Sequence, residues 1–390
     1  MKKKDVNSSR VPVYRDAGFE LFNADITSQA FENEKNPRHD PDFYIYSRYR
    51  NPTVVSAEQE IMKLEECNWA FLTQSGMSAI ETSLSVFHKG KSTPPMLFFT
   101  EIYGGTISFI DTVLASRRGV DVRYFTPENG RYDYEALEKM IAEIKPGVVY
   151  IETISNPMLI VSDIRKVIKI ASKYGSKVIV DNTFATPLLY RPLEDGADIV
   201  IHSATKYLSG HGNITAGVIC GNDENIRKEI IEYRKLVGHM ISPDDAYRLQ
   251  TQMESFSLRF MKQCSNAANL AAFLSNSVMI SEVWYPGLPG HTTHDLAADL
   301  FSKKGYGAMI TFDIKGIDRN EKRSRRDSFI KMVSEKIKLI PSLGDSRTIL
   351  MPVEAVWGVK YPEPGMIRLS VGFEDYGQIE STISCALKAL

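Results

Sequence analysis

The sequence predicts an α/β protein, with a mostly parallel central sheet followed by a smaller α+β unit toward the C-terminus. Three observations carry this reading. Four apolar runs of strand length, Met96-Leu-Phe-Phe-Thr, Gly147-Val-Val-Tyr-Ile151, Lys177-Val-Ile-Val180 and Asp198-Ile-Val-Ile201, are separated by helical stretches, as the crossovers of a parallel sheet require. Each run ends on its carboxyl side in a polar or aromatic group, at Tyr103, Asn156, Asp181 and Ser203 to Lys206, and that is the end at which open α/β sheets hold ligands. Past Gly221 the pattern turns long and helical, over about 225–236 and then 242–276, before short strands resume. A chain of 390 residues exceeds one comfortable core, so two domains and a terminal extension are expected: an arm over 1–55, a large domain over 56–243 and a small domain over 244–390.

Residues 1–55 are rich in Asn, Arg, Pro and aromatics without sustained periodicity, which predicts an extended arm with short helical pieces. Such an arm buries little of itself and is expected to lie on another surface, a neighbouring subunit's included. It ends in Tyr44-Ile-Tyr46-Ser-Arg48-Tyr-Arg-Asn51-Pro-Thr, where arginine suits bidentate binding of phosphate or carboxylate. Apolar positions recur at helical spacing from Val54 to Leu64. Trp69-Ala-Phe-Leu-Thr then leads into Gln74-Ser75-Gly76-Met77-Ser78-Ala79-Ile80, a strand, tight turn and helix start with Ser75 as N-cap. The Gly76 and Met77 amides then point outward at the positive end of the helix, a ready anion site. The turn Glu101-Ile-Tyr103-Gly-Gly-Thr106 sets an aromatic face beside two glycines, and 163–174 has helical periodicity. The turn Trp284-Tyr-Pro-Gly-Leu-Pro-Gly-His291 opens the smaller unit, in which strands over 308–314 and 366–372 alternate with helices at about 319–338 and 374–389.

Net charge is −1 with no long basic or acidic block, which removes the electrostatic footprint of a nucleic-acid binder. Cys67, Cys220, Cys264 and Cys385 are scattered without a C-x-x-C, which argues against a zinc ribbon or a disulfide framework and fits a reducing cytoplasm. Met1-Lys-Lys-Lys-Asp is basic, but polar residues follow it, and no apolar run approaches spanning length, so no membrane partner is expected.

The chemistry concentrates in Asp198-Ile-Val-Ile-His-Ser203-Ala-Thr205-Lys206-Tyr-Leu-Ser-Gly-His-Gly212. Ser203, Thr205 and Lys206 should emerge at the carboxyl end of a strand, setting an amine beside two hydroxyls. Pyridoxal phosphate requires that combination: the amine forms a Schiff base with its aldehyde, and the hydroxyls anchor its phosphate. A lone Ser-x-Thr-Lys matches by chance, so the other strand ends must complete the site. Rival motifs fit less well. Ser85-Val-Phe-His-Lys-Gly90-Lys91-Ser92 lacks the first glycine of a P-loop and follows a helix rather than a strand. No G-x-G-x-x-G follows a strand. His291-Thr-Thr-His294-Asp295 reads as a polar turn and helix cap rather than a set of metal ligands.

Tyr46-Ser-Arg48 with Asn51-Pro-Thr, Ser75-Gly-Met-Ser-Ala-Ile, Tyr103-Gly-Gly-Thr, Glu152 to Asn156-Pro, Asp181-Asn-Thr183, Ser203-Ala-Thr-Lys206-Tyr-Leu-Ser-Gly-His, Ser342-Leu-Gly and Arg368-Leu-Ser-Val-Gly-Phe-Glu-Asp375 stand in that order. Together they closely resemble the Cys/Met-metabolism family of pyridoxal-phosphate enzymes, which includes cystathionine γ-synthase, cystathionine lyases, methionine γ-lyase and O-acylhomoserine sulfhydrylases. The resemblance spans Tyr46 to about Asp375. It implies fold type I, the aspartate-aminotransferase type, and a homotetramer of tight dimers with shared active sites. It makes Lys206 the Schiff-base lysine, Asp181 the partner of the ring nitrogen and Tyr103 both the ring stack and the acid for the leaving group. Asn156 would bond near the ring hydroxyl, with Thr183 beside Asp181. Gly76, Met77, Ser203 and Thr205 would hold the phosphate, joined by Tyr46 and Arg48 from the neighbouring subunit. Arg368, with Ser342 and Asn156, would clamp the substrate carboxylate, and no metal is implied.

The activity so implied is γ-elimination or γ-replacement on sulfur amino acids or O-acylhomoserine, with cystathionine β-lysis and O-acylhomoserine sulfhydrylation as alternatives. A non-catalytic cofactor-binding homologue would have no use for the carboxylate clamp. The chain departs from the family pattern at Pro341, where many γ-synthases and γ-lyases have Glu and bacterial β-lyases have Tyr. It departs again at Asn213, where Asp is usual, and at Thr251, where Arg is expected. The segment 345–365 is shorter than usual and carries Pro352-Val-Glu-Ala-Val-Trp357-Gly.

Overall fold

Val, Ile and Phe fill the strand runs without polar alternation, which is the composition of a sheet covered on both faces. The computed structural model describes residues 8–35, 38–301 and 304–390, so the basic start at residues 1–5 lies outside the described residues. Seven strands form the large sheet: β1 (Trp69–Thr73), β2 (Met96–Phe99), β3 (Val122–Phe125), β4 (Val148–Glu152), β5 (Lys177–Asp181), β6 (Ile199–His202) and β7 (Gly217–Gly221). Their order is β1-β7-β6-β5-β4-β2-β3. From β3 to β6 all neighbours are parallel, while β7 runs antiparallel to both β6 and β1. The four runs that the sequence singled out are β2, β4, β5 and β6, consecutive neighbours whose carboxyl ends share one edge. Two strands carried too weak a signal to be read: β3 is a half-exposed Val-Arg-Tyr-Phe at the sheet edge, and β7 is a short run with glycine at both ends.

Side-chain caps start the helices that pack on this sheet. Ser75 accepts from Ser78 N–H at the head of Gly76–Ser85, Asp163 from Lys166 N–H at the head of Ile164–Lys173, and Asp223 from Asn225 N–H at the head of Glu224–Val237. The long helical run expected over 242–276 is two helices, Pro243–Met253 and Phe256–Ser275. The break has a tertiary cause that the sequence does not display. The Gln252 carbonyl accepts from Ser255 N–H, Ser255 Oγ and the Arg259 guanidinium, which also donates to Ser255 Oγ and the carbonyls of Tyr207 and Leu208.

The second sheet, in the order β10-β11-β12-β9-β8, comprises β8 (Ile280–Trp284), β9 (Met309–Ile314), β10 (Lys338–Leu339), β11 (Ile349–Pro352) and β12 (Met366–Ser370). Helices Phe256–Ser275 and Arg319–Val333 pack on it, and Tyr376–Lys388 packs on those two helices. The helix expected to reach about 338 ends at Val333, and Lys338-Leu339 pairs with β11 instead.

Among its described residues before Asn51 the arm contains one helix, Ala24–Asn33, and the stretch ahead of that helix lies along its own chain. Thr53 Oγ1 donates to the Pro12 carbonyl at 2.8 Å and accepts from Tyr14 N–H at 2.9 Å, and Arg10 and Arg15 pair with Glu254 and Asp244. Its end is fixed from within. Arg50 and Arg234 both lie against the Phe71 ring and share the buried carboxylate of Glu58, with Arg234 Nη1 2.8 Å from that carboxylate.

Candidate active site

The carboxyl ends of β2, β4, β5 and β6, the N-terminus of helix Gly76–Ser85 and the face of the second sheet enclose a cavity of about 540 Å³. Eleven residues expected in the site line it: Gly76, Met77, Tyr103, Asn156, Asp181 and Thr183 from one side, with Ser203, Thr205, Lys206, Ser342 and Arg368. Tyr46 and Arg48 do not line it. Arg48 donates to the Lys235 carbonyl at 2.7 Å and lies over the Tyr46 and Tyr49 rings, and Tyr46 is exposed.

Lys206 follows β6 in a tight turn, where its own N–H donates to the Ser203 carbonyl and its carbonyl accepts from Gly210 N–H. Its Nζ donates to Ser342 Oγ at 3.0 Å, across the gap between the two sheets. Burial, then the charge of Arg368, pulls this amine down to about 8, so it gives up its proton far more readily than an ordinary lysine. Gly344 makes the approach possible. Its φ is +75°, and a Cβ there would come within 2.7 Å of the Tyr207 nitrogen, so the Ser342-Leu-Gly turn lies against the backbone that carries Lys206.

Asp181 ends β5. Its Oδ1 accepts from Thr183 N–H at 3.0 Å and Thr183 Oγ1 at 2.6 Å, while Oδ2 has a long contact of 3.4 Å from the Tyr150 hydroxyl. Burial pushes this carboxyl above the usual carboxylate range, opposed by the Thr183 donors, so a cation facing it would favour ionisation. Thr183 Oγ1 also accepts from Ser203 N–H at 2.8 Å, tying the ends of β5 and β6 together.

A Cβ on Gly76 would lie 3.0 Å from Ser203 Oγ, so the helix head and the Ser203 turn form one narrow cradle of amides and a hydroxyl. The Thr205 hydroxyl borders that cradle but exchanges bonds with the backbone of Ala216. Tyr103 caps the helix Gly104–Phe109 and is half exposed over the cavity. Its N–H donates to the buried Glu152 carboxylate at 2.6 Å. Burial holds Glu152 well above the usual carboxylate range. The motif from Glu152 to Asn156-Pro gives Glu152 no role of its own, and here it seats Tyr103.

Arg368, on β12, is 4% exposed and donates to Asn156 Oδ1 at 2.9 Å and the Ser342 carbonyl at 3.0 Å. Its remaining N–H groups leave it suited to a carboxylate. Burial lowers it to about 10.

These groups fit pyridoxal phosphate. The Asp181 carboxylate could pair with a ring nitrogen, the Lys206 amine of lowered proton affinity could take the aldehyde, and the cradle at Gly76 and Ser203 could hold the phosphate. The other motifs lie apart from this cavity. Lys91 is exposed in a 3-10 turn, Gly90–Ser92. His291 meets the Thr293 hydroxyl, and His294 meets the Pro286 carbonyl. Asn213 accepts from Gln252 at its side chain and from Arg248 at its carbonyl, while Thr251 Oγ1 donates to the Arg248 carbonyl.

The model of the family described as Cys/Met metabolism PLP-dependent enzyme matches residues 1–388. The chain is 33% identical over 392 residues to an L-methionine gamma-lyase of Porphyromonas gingivalis, covering 97% of this chain and 92% of that one. It is 32% identical to a cystathionine beta-lyase of Lactococcus lactis, over 91% of each chain. Its fold superposes with a TM-score of 0.84 on cystathionine gamma synthase from Xanthomonas oryzae in complex with cystathionine, at 27% identity, covering 97% of this chain and 92% of that one.

Proposed function

The chain belongs to the Cys/Met-metabolism family of pyridoxal-phosphate-dependent enzymes, and from that premise we propose that it catalyses γ-elimination or γ-replacement on sulfur amino acids or O-acylhomoserine. The observation that carries this is the Lys206 amine, brought low in proton affinity and set between Asp181 at one strand end and the Arg368 clamp on the opposite sheet.

When bound, the cofactor supplies an electron sink for the pair left when a substrate Cα loses its proton. The protein's groups do the rest. Asp181 holds the cofactor's ring nitrogen protonated, because a buried carboxylate favours a cation beside it. Gly76, Met77, Ser203 and Thr205 fix the phosphate, with Tyr46 and Arg48 of a second copy closing that end. Arg368, braced by Asn156 and Ser342, holds the substrate carboxylate and so aims the Cα–H at Lys206. Lys206, freed once the substrate amine takes its place, would take the Cα proton and then remove a Cβ proton, whose bonding pair expels the group on Cγ. Tyr103, seated by Glu152, gives its hydroxyl proton to the departing sulfur or oxygen. A thiol then adds at Cγ, or water completes release of a keto acid and ammonia.

Sites completed by a second copy call for at least a dimer, and a homotetramer of dimers is the assembly proposed. Four free thiols suit a reducing cytoplasm. The holoenzyme offered methionine, cystathionine and O-acylhomoserines, and scored for keto acid, sulfide and cystathionine, should turn over at least one. No turnover of any would remove the proposal.

A further inference from the structure

The wall that the second sheet and its strap contribute to the cavity is largely apolar. Beside Ser342 and Arg368 it consists of Pro341, Leu343, Met351, Val356 and Trp357, none of them polar enough to pair with a charge. Met351 is the cross-strand partner of Arg368 in the β11–β12 ladder. Trp357 is half-buried, with the Arg368 guanidinium 5.5 Å from its ring centroid.

Trp357 and Val356 stand on a short helix, Glu354–Trp357, within a strap that is tied at several points. At its start Glu354 takes Arg323 at 2.8 Å and Arg326 at 3.1 Å. At its end Arg319 and Arg326 donate to the carbonyls of Pro362 and Pro364, and Lys322 pairs with Glu363. In between, Lys360 donates to the Thr100 carbonyl at 2.7 Å and, with the Tyr361 hydroxyl, holds Glu101, two residues from Tyr103. The strap is thus fastened to helix Arg319–Val333 at both ends and to the turn after β2 in between, which holds the short helix that carries the indole.

We propose that Trp357 is a specificity-determining residue that restricts the site to substrates with an uncharged γ-substituent, such as a thioether or a neutral acyloxy group. Resting on the proposed function, this deepens it. The Arg368 charge is used on the α-carboxylate, so a second carboxylate or ammonium carried to this wall meets Pro341, Leu343, Met351, Val356 and Trp357, none of which can pair with it. Bringing a charge against such a wall without a partner is unfavourable, whereas methyl and methylene groups gain from it. If Trp357 served only to prop Arg368, every substrate would suffer alike on its removal, since all share the α-carboxylate.

The test uses the holoenzyme with two unreactive amino acids of equal chain length, norleucine and α-aminoadipate, which differ in a distal carboxylate. Titration calorimetry should show norleucine bound at least about tenfold more tightly, matching one unpaired charge at the wall. Trp357→Ala should narrow that ratio to within about threefold, and Trp357→Phe should keep most of it. In parallel, kcat/KM should favour O-acetylhomoserine over O-succinylhomoserine and methionine over cystathionine. Equal binding of the two ligands by the unaltered protein would overturn the inference, whether or not any variant folds. So would an unchanged ratio in Trp357→Ala with both affinities reduced. Preferential norleucine binding without turnover of any substrate would support the wall and refute the proposed activity.

Discussion

Replacing Arg368 by alanine should separate substrate binding from cofactor binding. The guanidinium is 4% exposed, with donors on Asn156 Oδ1 at 2.9 Å and the Ser342 carbonyl at 3.0 Å. A substrate carboxylate delivered to the alanine variant enters the same buried place without its partner. Truncating one member of a buried, hydrogen-bonded charge pair costs about 2–5 kcal/mol. At 1.4 kcal/mol per tenfold, kcat/KM should fall by roughly 30-fold to several thousandfold. The two acceptors left behind add a stability cost of about 1–3 kcal/mol each if water does not reach them. Arg368→Lys keeps the charge but loses the fork that braces Asn156 and Ser342 together, so it should recover only part of the loss. The assay is keto-acid release against substrate concentration, with the visible absorbance of the bound cofactor as an internal control. Cofactor loading should persist, because the hydrogen bonds of Arg368 go to Asn156 Oδ1 and the Ser342 carbonyl and not to Lys206, Asp181 or the Gly76 cradle. A kcat/KM within threefold of the unaltered protein, with cofactor loaded, would refute the clamp. Equal losses of cofactor and activity would refute the separation.

Asp181→Asn keeps an acceptor for Thr183 N–H and Oγ1 but removes the charge that favours a protonated ring nitrogen, so kcat should fall on the order of 100-fold while the fold survives. Steady-state kinetics beside a thermal melt checks both halves. Lys206, lowered to about 8 in the cofactor-free protein, has roughly 10% free amine at pH 7 against about 0.03% for an ordinary lysine. Because only the neutral amine attacks an aldehyde, cofactor capture should accelerate from pH 7 to about 8 and flatten above it; a rate still rising tenfold per pH unit between 9 and 10 would contradict the lowering. Gly344→Ala places a methyl 2.7 Å from the Tyr207 nitrogen at a φ of +75°, which should cost at least about 1–3 kcal/mol and lower both Tm and cofactor affinity. An unchanged melt would show that the Ser342 turn does not bear on Lys206.

The site was legible because its residues cluster at strand ends. Asp181, Asn156, Tyr103 and Lys206 each follow an apolar run, and parallel pairing of β2, β4, β5 and β6 brings those ends to one edge. Ser75 was readable as a cap for the same local reason. What the sequence did not display depends on contacts far along the chain. The break at Glu254 arises because Arg259 takes the Gln252 carbonyl, a competition no turn residue announces. The role of Glu152 depends on Tyr103 N–H, 49 residues away in sequence. Trp357 was visible as an unusual residue in a short segment, but its place against Arg368 follows from β11 pairing with β12 and from the arginines of helix Arg319–Val333. Tyr46 and Arg48 were expected in the site from a neighbouring subunit, and within one chain they stand outside the cavity.

The most direct test is to incubate the cofactor-free protein with pyridoxal phosphate, reduce with borohydride, digest and locate the added mass. A single label on the peptide carrying Lys206, absent from Lys206→Ala, is the predicted result. Label scattered over surface lysines, or an unaltered yellow band in Lys206→Ala, would contradict it.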